Sequence, residues 1–247
     1  MNKRQLTYTV VILILAWQIC STILQKPILP SPIIVILNLF VELFHGKLGT
    51  HFLVSLYRVL AGMGLAVLTA TPAGLLLGQS KKLNQIFIPL IYILYPIPKV
   101  VFVPIIMLLF GIGDVAKIII IFIILFFQIL VLVRDQAVNI RPELLNSVRS
   151  LGAGRKALFR FVYFPATLSA ILTSLRQSVG TAIAVLYIAE LFATQSGLGY
   201  YIYFQGSTLF NYPAMYAGVV AMSLLGLGMY FGIDQMEKRM CKWLFVA

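Results

Sequence analysis

Residues 142–165 read PELLNSVRSLGAGRKALFRFVYFP, a basic, glycine-containing loop in a chain that is otherwise mostly apolar. The loop holds four basic residues and one acid, whereas the whole chain of 247 residues is 61% hydrophobic and only 11% charged. Soluble domains carry about 25% charged residues. A chain of this length cannot bury so much apolar surface in a soluble core. We therefore expect an all-α polytopic membrane protein with one long polar loop.

Six apolar stretches are long enough to cross a bilayer, whose hydrocarbon core requires about 20 residues of helix. They lie at about residues 6–24, 52–77, 85–110, 112–133, 167–193 and 213–233. Chain length and the lack of an obvious linker favour one transmembrane domain over residues 1–247. Residues 134–165 then form the loop between the fourth and fifth spans.

The N-terminal run has some features of a signal peptide, because Lys3 and Arg4 precede an apolar stretch. The stretch 6–24 is long for a signal-peptide core and has no small-x-small cleavage site, so we expect it to remain as the first span. Bulky residues precede Cys20, which disfavours lipoprotein processing. Cys20 and Cys241 lie at opposite ends of the chain, and a disulfide between them is not expected.

Basic residues orient the spans, because the cytoplasmic loops of membrane proteins are enriched in Lys and Arg. With the N-terminus inside, thirteen of the 19 basic residues lie on the inner side, namely Lys3, Arg4, Lys81, Lys82, Arg134, Arg141, Arg149, Arg155, Lys156, Arg160, Lys238, Arg239 and Lys242. The outer segments hold Lys26, Lys47 and Lys117, and the remaining three basic residues fall within spans. This bias predicts that both termini and the 134–165 loop are cytoplasmic.

The loop has the pattern of two short helices joined by a glycine elbow. Pro142 suits a first helical turn, and Glu143 meets the positive end of the helix dipole. Apolar residues then recur at helical spacing until Gly152-Ala153-Gly154 breaks the helix. A second helix follows, with its basic and apolar side chains mostly on opposite sides. We expect Pro165 to close this helix just before the fifth span.

Three interpretations of the loop compete. A basic amphipathic segment can rest on anionic lipid headgroups, or its apolar face can enter a groove of a partner protein. The sequence GAGRKA is also rich in glycine and basic residues, but a phosphate-binding loop requires G-x-x-x-x-G-K-[ST] after a buried strand. Gly154 is followed by Arg155, Lys156 and Ala157, so ATP binding through this loop is not expected. The residues alone leave the first two interpretations open.

The loop resembles the cytoplasmic EAA loop of bacterial ABC-importer permeases. The resemblance extends over SLYRVLAGMGLAVLTATPAGLLLGQSKKLN (55–84), YPIPKVVFVPIIMLLFGIGDVAKI (95–118), RPELLNSVRSLGAGRKALFRFVYFPATLSAILTSLRQSVGTA (141–182) and AELFATQSGLGYYI (189–202). Each segment alone is a weak signal, but together and in this order they are similar to permeases of the nitrate, sulfonate and taurine type. The chain departs from the pattern at Asn146-Ser147-Val148, where the family usually has Glu-Ala-Ala.

The resemblance implies a subunit of the bacterial inner membrane, surrounded by lipid, with defined protein partners. Two permease copies pair, most simply as a homodimer. Two ABC ATPase subunits receive their elbow loops, and a periplasmic or lipid-anchored binding protein delivers the solute. ATP then belongs to the ATPase, so this chain is expected to have no cofactor and no enzymatic activity of its own. The residues implied in ATPase coupling are Glu143, Ser150, Leu151, Gly152, Ala153, Arg155 and Phe159.

Ionisable residues within spans are costly and are usually paired or functional. Arg58, Arg176 and Glu190 are such residues, and the fifth span also carries a hydroxyl group at Thr181. These side chains either hold helices together or line the solute pathway and bias it toward anions. The resemblance favours the fifth span as a wall of the pathway. All four residues are therefore candidates for the pathway or its gate.

Prolines and glycines give further predictions for the spans. Pro96, Pro98 and Pro104 disturb the third span, which indicates a cavity-facing helix or a kinked packing helix. Glycines four residues apart, at 74 and 78 and again at 228 and 232, favour close helix packing.

Other classes of protein have less support. An enzyme would need a reactive cluster, but His45 and His51 have no metal-ligand spacing with an acid or cysteine. Basic residues follow the span ends, so nucleic acid is not expected as a partner. A stand-alone secondary transporter would show inverted repeats, and none is visible. Within the range of solutes that the resemblance implies, the basic residues in the spans favour a small anion or sulfonate, such as nitrate, bicarbonate, taurine or an alkanesulfonate. A thiamine-precursor pyrimidine or riboflavin is the alternative.

Overall fold

Helices make up nearly all of the structure. A computed structural model describes residues 3–192 and 194–244, and no β-strand occurs among them. The helices are α1 (Lys3–Leu24), α2 (Pro32–Phe44), α3 (Leu48–Gln79), α4 (Lys81–Leu94), α5 (Val103–Phe110), α6 (Asp114–Val138), α7 (Pro142–Ser150), α8 (Arg155–Leu158), α9 (Phe164–Leu191), α10 (Leu198–Tyr203) and α11 (Tyr212–Met240). Segments of 3₁₀ helix lie at Lys99–Phe102 and Lys242–Leu244, and π turns lie at Phe159–Tyr163 and Phe204–Thr208. The prediction of an all-α protein is confirmed.

Five helical runs are long and apolar enough to cross a membrane, and a bent pair of helices makes six if it counts as one span. The five are Thr7–Leu24, Leu48–Gln79, Asp114–Val138, Lys156–Leu191 and Tyr212–Met240. The bent pair is Lys81–Leu94 with Lys99–Phe110, and the bend between its halves is 77°. For the described residues, the predicted number of about six spans is confirmed.

The apolar helix α2 was not predicted from the sequence. It begins with Pro32, whose fixed φ suits a first helical turn, and it ends at Phe44. Its 13 residues are too few to cross a bilayer as a straight helix. A search for stretches of about 20 apolar residues therefore passes over it.

Helix α6 extends beyond its predicted apolar stretch and contains Lys117, which we expected in an outer loop. The helix continues to Val138 instead of ending near residue 133. Lys117 is only 1% exposed, and its ammonium group donates a hydrogen bond of 2.7 Å to the Ile112 carbonyl. A helix tolerates such a residue because the charged group reaches a backbone acceptor near the helix end. Lys117 therefore lies within the helix, near the start of α6, and not in a loop.

The second elbow helix does not end at Pro165, contrary to our prediction. Helix α8, the π turn and α9 form one helical run, of which Lys156–Leu191 accounts for 36 residues. Proline normally interrupts a helix because it lacks an N–H group and crowds the preceding turn. Pro165 lies directly after the π turn, in which the Phe164 N–H bonds to the Phe159 carbonyl five residues earlier. This widened ladder lets the helix continue through the proline.

The close contacts within the chain define two compact units. The first comprises the residues up to Leu56 and Glu190–Leu225, and the second comprises Tyr57–Ala189 and the residues from Gly226 onward. The first unit includes an aromatic contact between Trp17 and Tyr216, with ring centroids 5.7 Å apart. In the second, nine residues of α6 are buried. The single permease domain expected over residues 1–247 stays a prediction.

Glycines on α3 allow close contact with α6 inside the second unit. A Cβ atom added at Gly78 would overlap the Ala137 side chain, and one at Gly74 would lie 3.0 Å from atoms of α6. The close packing predicted for this glycine pair is therefore present. At Gly228 and Gly232, in contrast, an added Cβ would meet no described protein atom within 4 Å.

We predict that Gly78→Ala lowers the free energy of unfolding by about 1–3 kcal/mol, because the added methyl group must be forced between two packed helices. Gly64→Ala is the matched control on the same helix, since a Cβ at Gly64 meets no atom within 4 Å. Thermal unfolding of both variants in one detergent measures the difference. Equal melting temperatures would contradict the close approach of α3 and α6.

Candidate functional site

The elbow, residues 142–165, begins with α7, whose charges complement the helix dipole. Glu143 lies in the first turn and Arg149 in the last turn. The Ser150 hydroxyl donates to a carbonyl three residues earlier at 2.8 Å. The Gly152 N–H donates to the Arg149 carbonyl at 2.9 Å. These bonds close the C-terminal end of α7.

Gly152 determines the turn between α7 and α8. Its φ of +80° lies in the left-handed region, which costs a residue with a Cβ about 1–2 kcal/mol. Gly154 does not have a positive φ, and an added Cβ would meet open space at either glycine. The elbow therefore needs glycine at 152 for backbone conformation, whereas position 154 imposes no such requirement.

The elbow exposes large apolar side chains next to its basic residues. Leu151 is 86% exposed at the turn, and Phe159 and Phe161 are exposed on the π turn. Among the other predicted coupling residues, Glu143, Ser150 and Gly152 are exposed and Ala153 is half-buried, while the side chain of Arg155 lies outside the described residues. Apolar groups clustered at an exposed polar loop are typical of a protein-binding surface.

Arg58 is buried in an ion pair. It is 1% exposed, and its Nε and Nη2 atoms lie 2.8 and 2.6 Å from Asp114 Oδ1. Asp114 is in the first turn of α6, where the helix dipole stabilises a carboxylate. The pair joins α3 to the start of α6, so the structure supports a stabilising role for Arg58.

Arg176 joins α9 to α11 through a cluster of charges. Its Nη1 atom lies 2.8 Å from Asp234 Oδ1 and 2.9 Å from Glu237 Oε2. Thr173 donates to Glu237 Oε1 at 2.8 Å, and Lys238 Nζ lies 2.5 Å from Asp234 Oδ2. Glu237 is buried, so Arg176 and Thr173 offset the cost of removing its charge from water.

Glu190 anchors the segment that follows α9. It is fully buried, and its carboxylate accepts hydrogen bonds from the Ser55 hydroxyl at 2.8 Å and from the Gly199 N–H at 2.9 Å. The Ser55 hydroxyl in turn accepts the Leu198 N–H at 2.8 Å. The carboxylate and the hydroxyl thus satisfy two of the N–H groups that begin α10.

A cavity of about 350 Å³ lies beside the break between α4 and α5. Its polar lining residues are Tyr95, Lys99, Gln128 and Thr181, and the rest of the wall is aliphatic and aromatic. Thr181, a predicted pathway residue, therefore faces a cavity. Among the described residues, no group of three or more His, Cys, Asp or Glu side chains is placed to hold a metal ion.

Lys99 caps the broken helix at this cavity. Its ammonium group donates to the carbonyls of Leu94, Tyr95 and Ile97 at 2.9, 3.0 and 3.3 Å. It also lies 4.7 Å from the centre of the Phe127 ring, a distance that permits a cation–π contact. A break in a span is tolerated only where protein or water satisfies the freed carbonyls, and Lys99 supplies donors for them.

The chain matches one protein-family model over residues 62–242, that of the binding-protein-dependent transport system inner membrane component. The matched region contains the elbow, the cavity and the Arg176 cluster. The chain belongs to this family. It is therefore an inner-membrane permease subunit of an ABC importer, which operates with an ATPase and a solute-binding protein.

Related permeases match over most of their length. A probable ABC transporter permease of Brucella melitensis is 31% identical over 87% of each chain. The taurine transport system permease TauC of Escherichia coli is 28% identical over 98% of this chain and 91% of its own. Other relatives are the nitrate import permease NrtB of Synechococcus elongatus, 31% identical over 84% of this chain and 81% of its own, and the formylaminopyrimidine transport permease ThiX of Halalkalibacterium halodurans, 26% identical over 94% and 92%.

The fold also matches a solved ABC-importer structure. A chain of the MetNI methionine ABC transporter in an inward-facing conformation superimposes with a TM-score of 0.67 at 19% identity. The match covers 81% of this permease and 98% of that chain. It supports the all-helical permease fold.

The structure separates the four predicted pathway residues of this permease. Thr181 lies on the cavity, whereas Arg58, Arg176 and Glu190 are each engaged with another polar group. Sequence analysis did not single out Lys99, although a lysine between prolines in an apolar stretch is a visible signal. It also missed the acidic partners, because separations of 50 residues or more hide such pairs in a single sequence.

We predict that Arg176→Met destabilises the permease by about 3 kcal/mol or more, because it leaves the buried Glu237 carboxylate without its cation. The double variant Arg176→Met/Glu237→Gln removes both charges and should regain most of this stability. Thermal unfolding of the single and double variants in the same detergent measures the effect. Equal losses in both would show that the Arg176–Glu237 pair is not the cause.

Proposed function

We propose that this permease forms the solute pathway with a second copy of itself and is driven by two ATPase subunits through the elbow. ATP is bound and hydrolysed on the ATPase, and the permease has no cofactor and no catalytic residue. The observation that carries this proposal is the elbow itself, a glycine turn that displays exposed apolar side chains at the start of a membrane-crossing helix.

The elbow docks into a groove of the ATPase through one continuous strip of residues. Leu151 projects from the turn with 86% of its surface exposed, and Phe159 is exposed one turn into the following helical run. Glu143, Ser150, Gly152, Ala153 and Arg155 complete the proposed contact strip. Burial of a leucine and a phenylalanine is worth about 1.5–3 kcal/mol each, which suits a surface that must hold during a transport cycle.

The elbow and both chain termini are cytoplasmic in this proposal. Lys81 and Lys82 begin α4, and Lys238 and Arg239 lie in the last turn of α11. The elbow adds its own basic residues. Positive residues concentrate on the cytoplasmic side of membrane proteins, where they also contact anionic lipid headgroups. Residues 146–148 lack the Glu-Ala-Ala of the family pattern, so the ATPase contact here depends less on an acidic residue.

The second permease copy supplies the other half of the pathway. Six spans are few for an enclosed route across the bilayer. Gly228 and Gly232 on α11 leave room for the close approach of another helix, since no described protein atom lies within 4 Å of an added Cβ.

The proposed solute is a small anion or sulfonate. TauC and NrtB are named for taurine and nitrate, and the polar lining of the membrane cavity includes a lysine but no acid. A pyrimidine related to the thiamine precursors is the second candidate, because ThiX is named for formylaminopyrimidine transport.

We predict that Gly152→Val uncouples the permease from its ATPase, whereas Gly154→Val does not. Valine at 152 would have to adopt a φ of +80°, which a β-branched residue avoids, so the elbow would refold away from its docking geometry. The measurement is solute-stimulated ATP hydrolysis by the complex in lipid vesicles, together with co-purification of the ATPase. Stimulation should fall at least tenfold for Gly152→Val. Equal stimulation in both variants would indicate that the elbow rests on lipid instead.

A second prediction concerns the solute. The complex of permease, ATPase and binding protein in vesicles should take up nitrate or an organosulfonate such as taurine when ATP is supplied. Formylaminopyrimidine serves as the competing solute in the same assay. Uptake of formylaminopyrimidine without uptake of any anion would replace the anion assignment and leave the permease function intact.

A further inference from the structure

We infer that the cavity at the α4–α5 break is a transient binding site for a small anion, with Lys99 as its fixed positive charge and Gln128 and Thr181 as its hydrogen-bond donors. This inference rests on the proposed function, because it gives an anionic solute a place within the membrane-spanning part of the chain. Three basic residues lie within the predicted spans, namely Arg58, Lys99 and Arg176. The inference singles out Lys99 among them.

Lys99 donates all of its hydrogen bonds at the cavity to neutral backbone carbonyls. The three carbonyls at the helix break replace the water that an ammonium group loses within a span. These acceptors are neutral, so none of them balances the positive charge of the ammonium group. In contrast, Arg58 lies 2.6 Å from Asp114, and Arg176 lies 2.8 Å from Asp234. Those two cations are balanced by carboxylates.

The rest of the lining suits an anion as well. The cavity wall contains Lys99 but no Asp or Glu. No hydrogen bond joins Gln128 or Thr181 to another side chain within the described residues, so the amide and the hydroxyl are available to a solute. One charge and two neutral donors give an attraction that is weak enough for release, which a transport pathway requires.

The cavity is large enough for a small solute. Ligand pockets in proteins span about 300–1,000 Å³, and a volume of about 350 Å³ is near the lower end of that range. A nitrate ion or a short sulfonate fits such a space, with its oxygens directed at Lys99 and at the two neutral donors.

The electrostatic field of Lys99 can be measured with a cysteine placed in the cavity. The two native thiols, Cys20 and Cys241, are first replaced by Ser and Ala, and Thr181→Cys is introduced. Modification of this thiol is then timed in the assembled complex with a sulfonate-bearing and with a trimethylammonium-bearing methanethiosulfonate. With Lys99 present, the anionic reagent should be favoured.

Lys99→Gln should reduce the anion-to-cation rate ratio at this cysteine at least tenfold, as expected for one unit charge acting over several ångströms even at the dielectric constant of water. Lys99→Arg should retain the ratio. If Lys99 only holds the helix bend, Lys99→Gln would change both rates together and leave their ratio constant, which would overturn the inference. The exposed native Cys20, tested in a chain with Thr181 intact, is the control whose ratio should not respond to Lys99→Gln.

Occupancy by a solute is tested by protection. Nitrate or ethanesulfonate should slow the reaction of the cysteine at 181 with uncharged methyl methanethiosulfonate, chloride at equal ionic strength should protect less, and Lys99→Gln should abolish the protection. If the Thr181→Cys complex itself imports either anion and neither anion protects its thiol, the binding site is contradicted and the proposed function stands. If the complex with native Thr181 imports neither anion, and neither anion protects the thiol of the variant, both are contradicted.

Discussion

Hydrocarbon offers no hydrogen-bond partners, so a membrane-spanning chain must satisfy each buried charge and each freed backbone group from within. This constraint explains the main polar contacts of the permease. Arg58 meets Asp114, Arg176 meets Asp234 and Glu237, and the Glu190 carboxylate meets a hydroxyl and an N–H group. All of these contacts except the one between Glu190 and the Gly199 N–H join segments that are distant in sequence. The cost of burying polar groups is thus offset by bonds that fix which helices are neighbours.

The same constraint makes the break between α4 and α5 informative. Pro96 and Pro98 prevent a continuous helix, and the carbonyls before and between them lose their usual donors. The ammonium group of Lys99 donates hydrogen bonds to three of these carbonyls. A bend held in this way opens a polar recess next to Thr181 without leaving unsatisfied carbonyls in the lipid.

Much of the fold follows from one-dimensional patterns, and most of the contacts do not. Apolar length predicts the spans, and the glycine at 152 predicts the elbow, because both signals are local. Helix α2 is not predicted, because its 13 residues are too few to cross a bilayer. The helix end predicted at Pro165 is wrong because the π turn before the proline lets the helix continue. The partners of Arg58 and Arg176 lie 56 and 58 residues away in the sequence. A single sequence, considered alone, does not indicate that such distant residues are in contact.

The continuity of the helix through Pro165 changes how the elbow can act on the pathway. Had the helix ended there, the elbow would be hinged to the membrane by a flexible joint. Instead, Lys156–Leu191 is one run of 36 residues, and it carries Thr181 on the cavity wall. At 1.5 Å per residue, Thr181 lies about 37 Å along the axis from the start of that run. In the proposed assembly, the ATPase would tilt the elbow. This helix would transmit the tilt to Thr181 and so change the cavity. The π turn, where the helical hydrogen bonding is irregular, is a point along the helix that can absorb some of this motion.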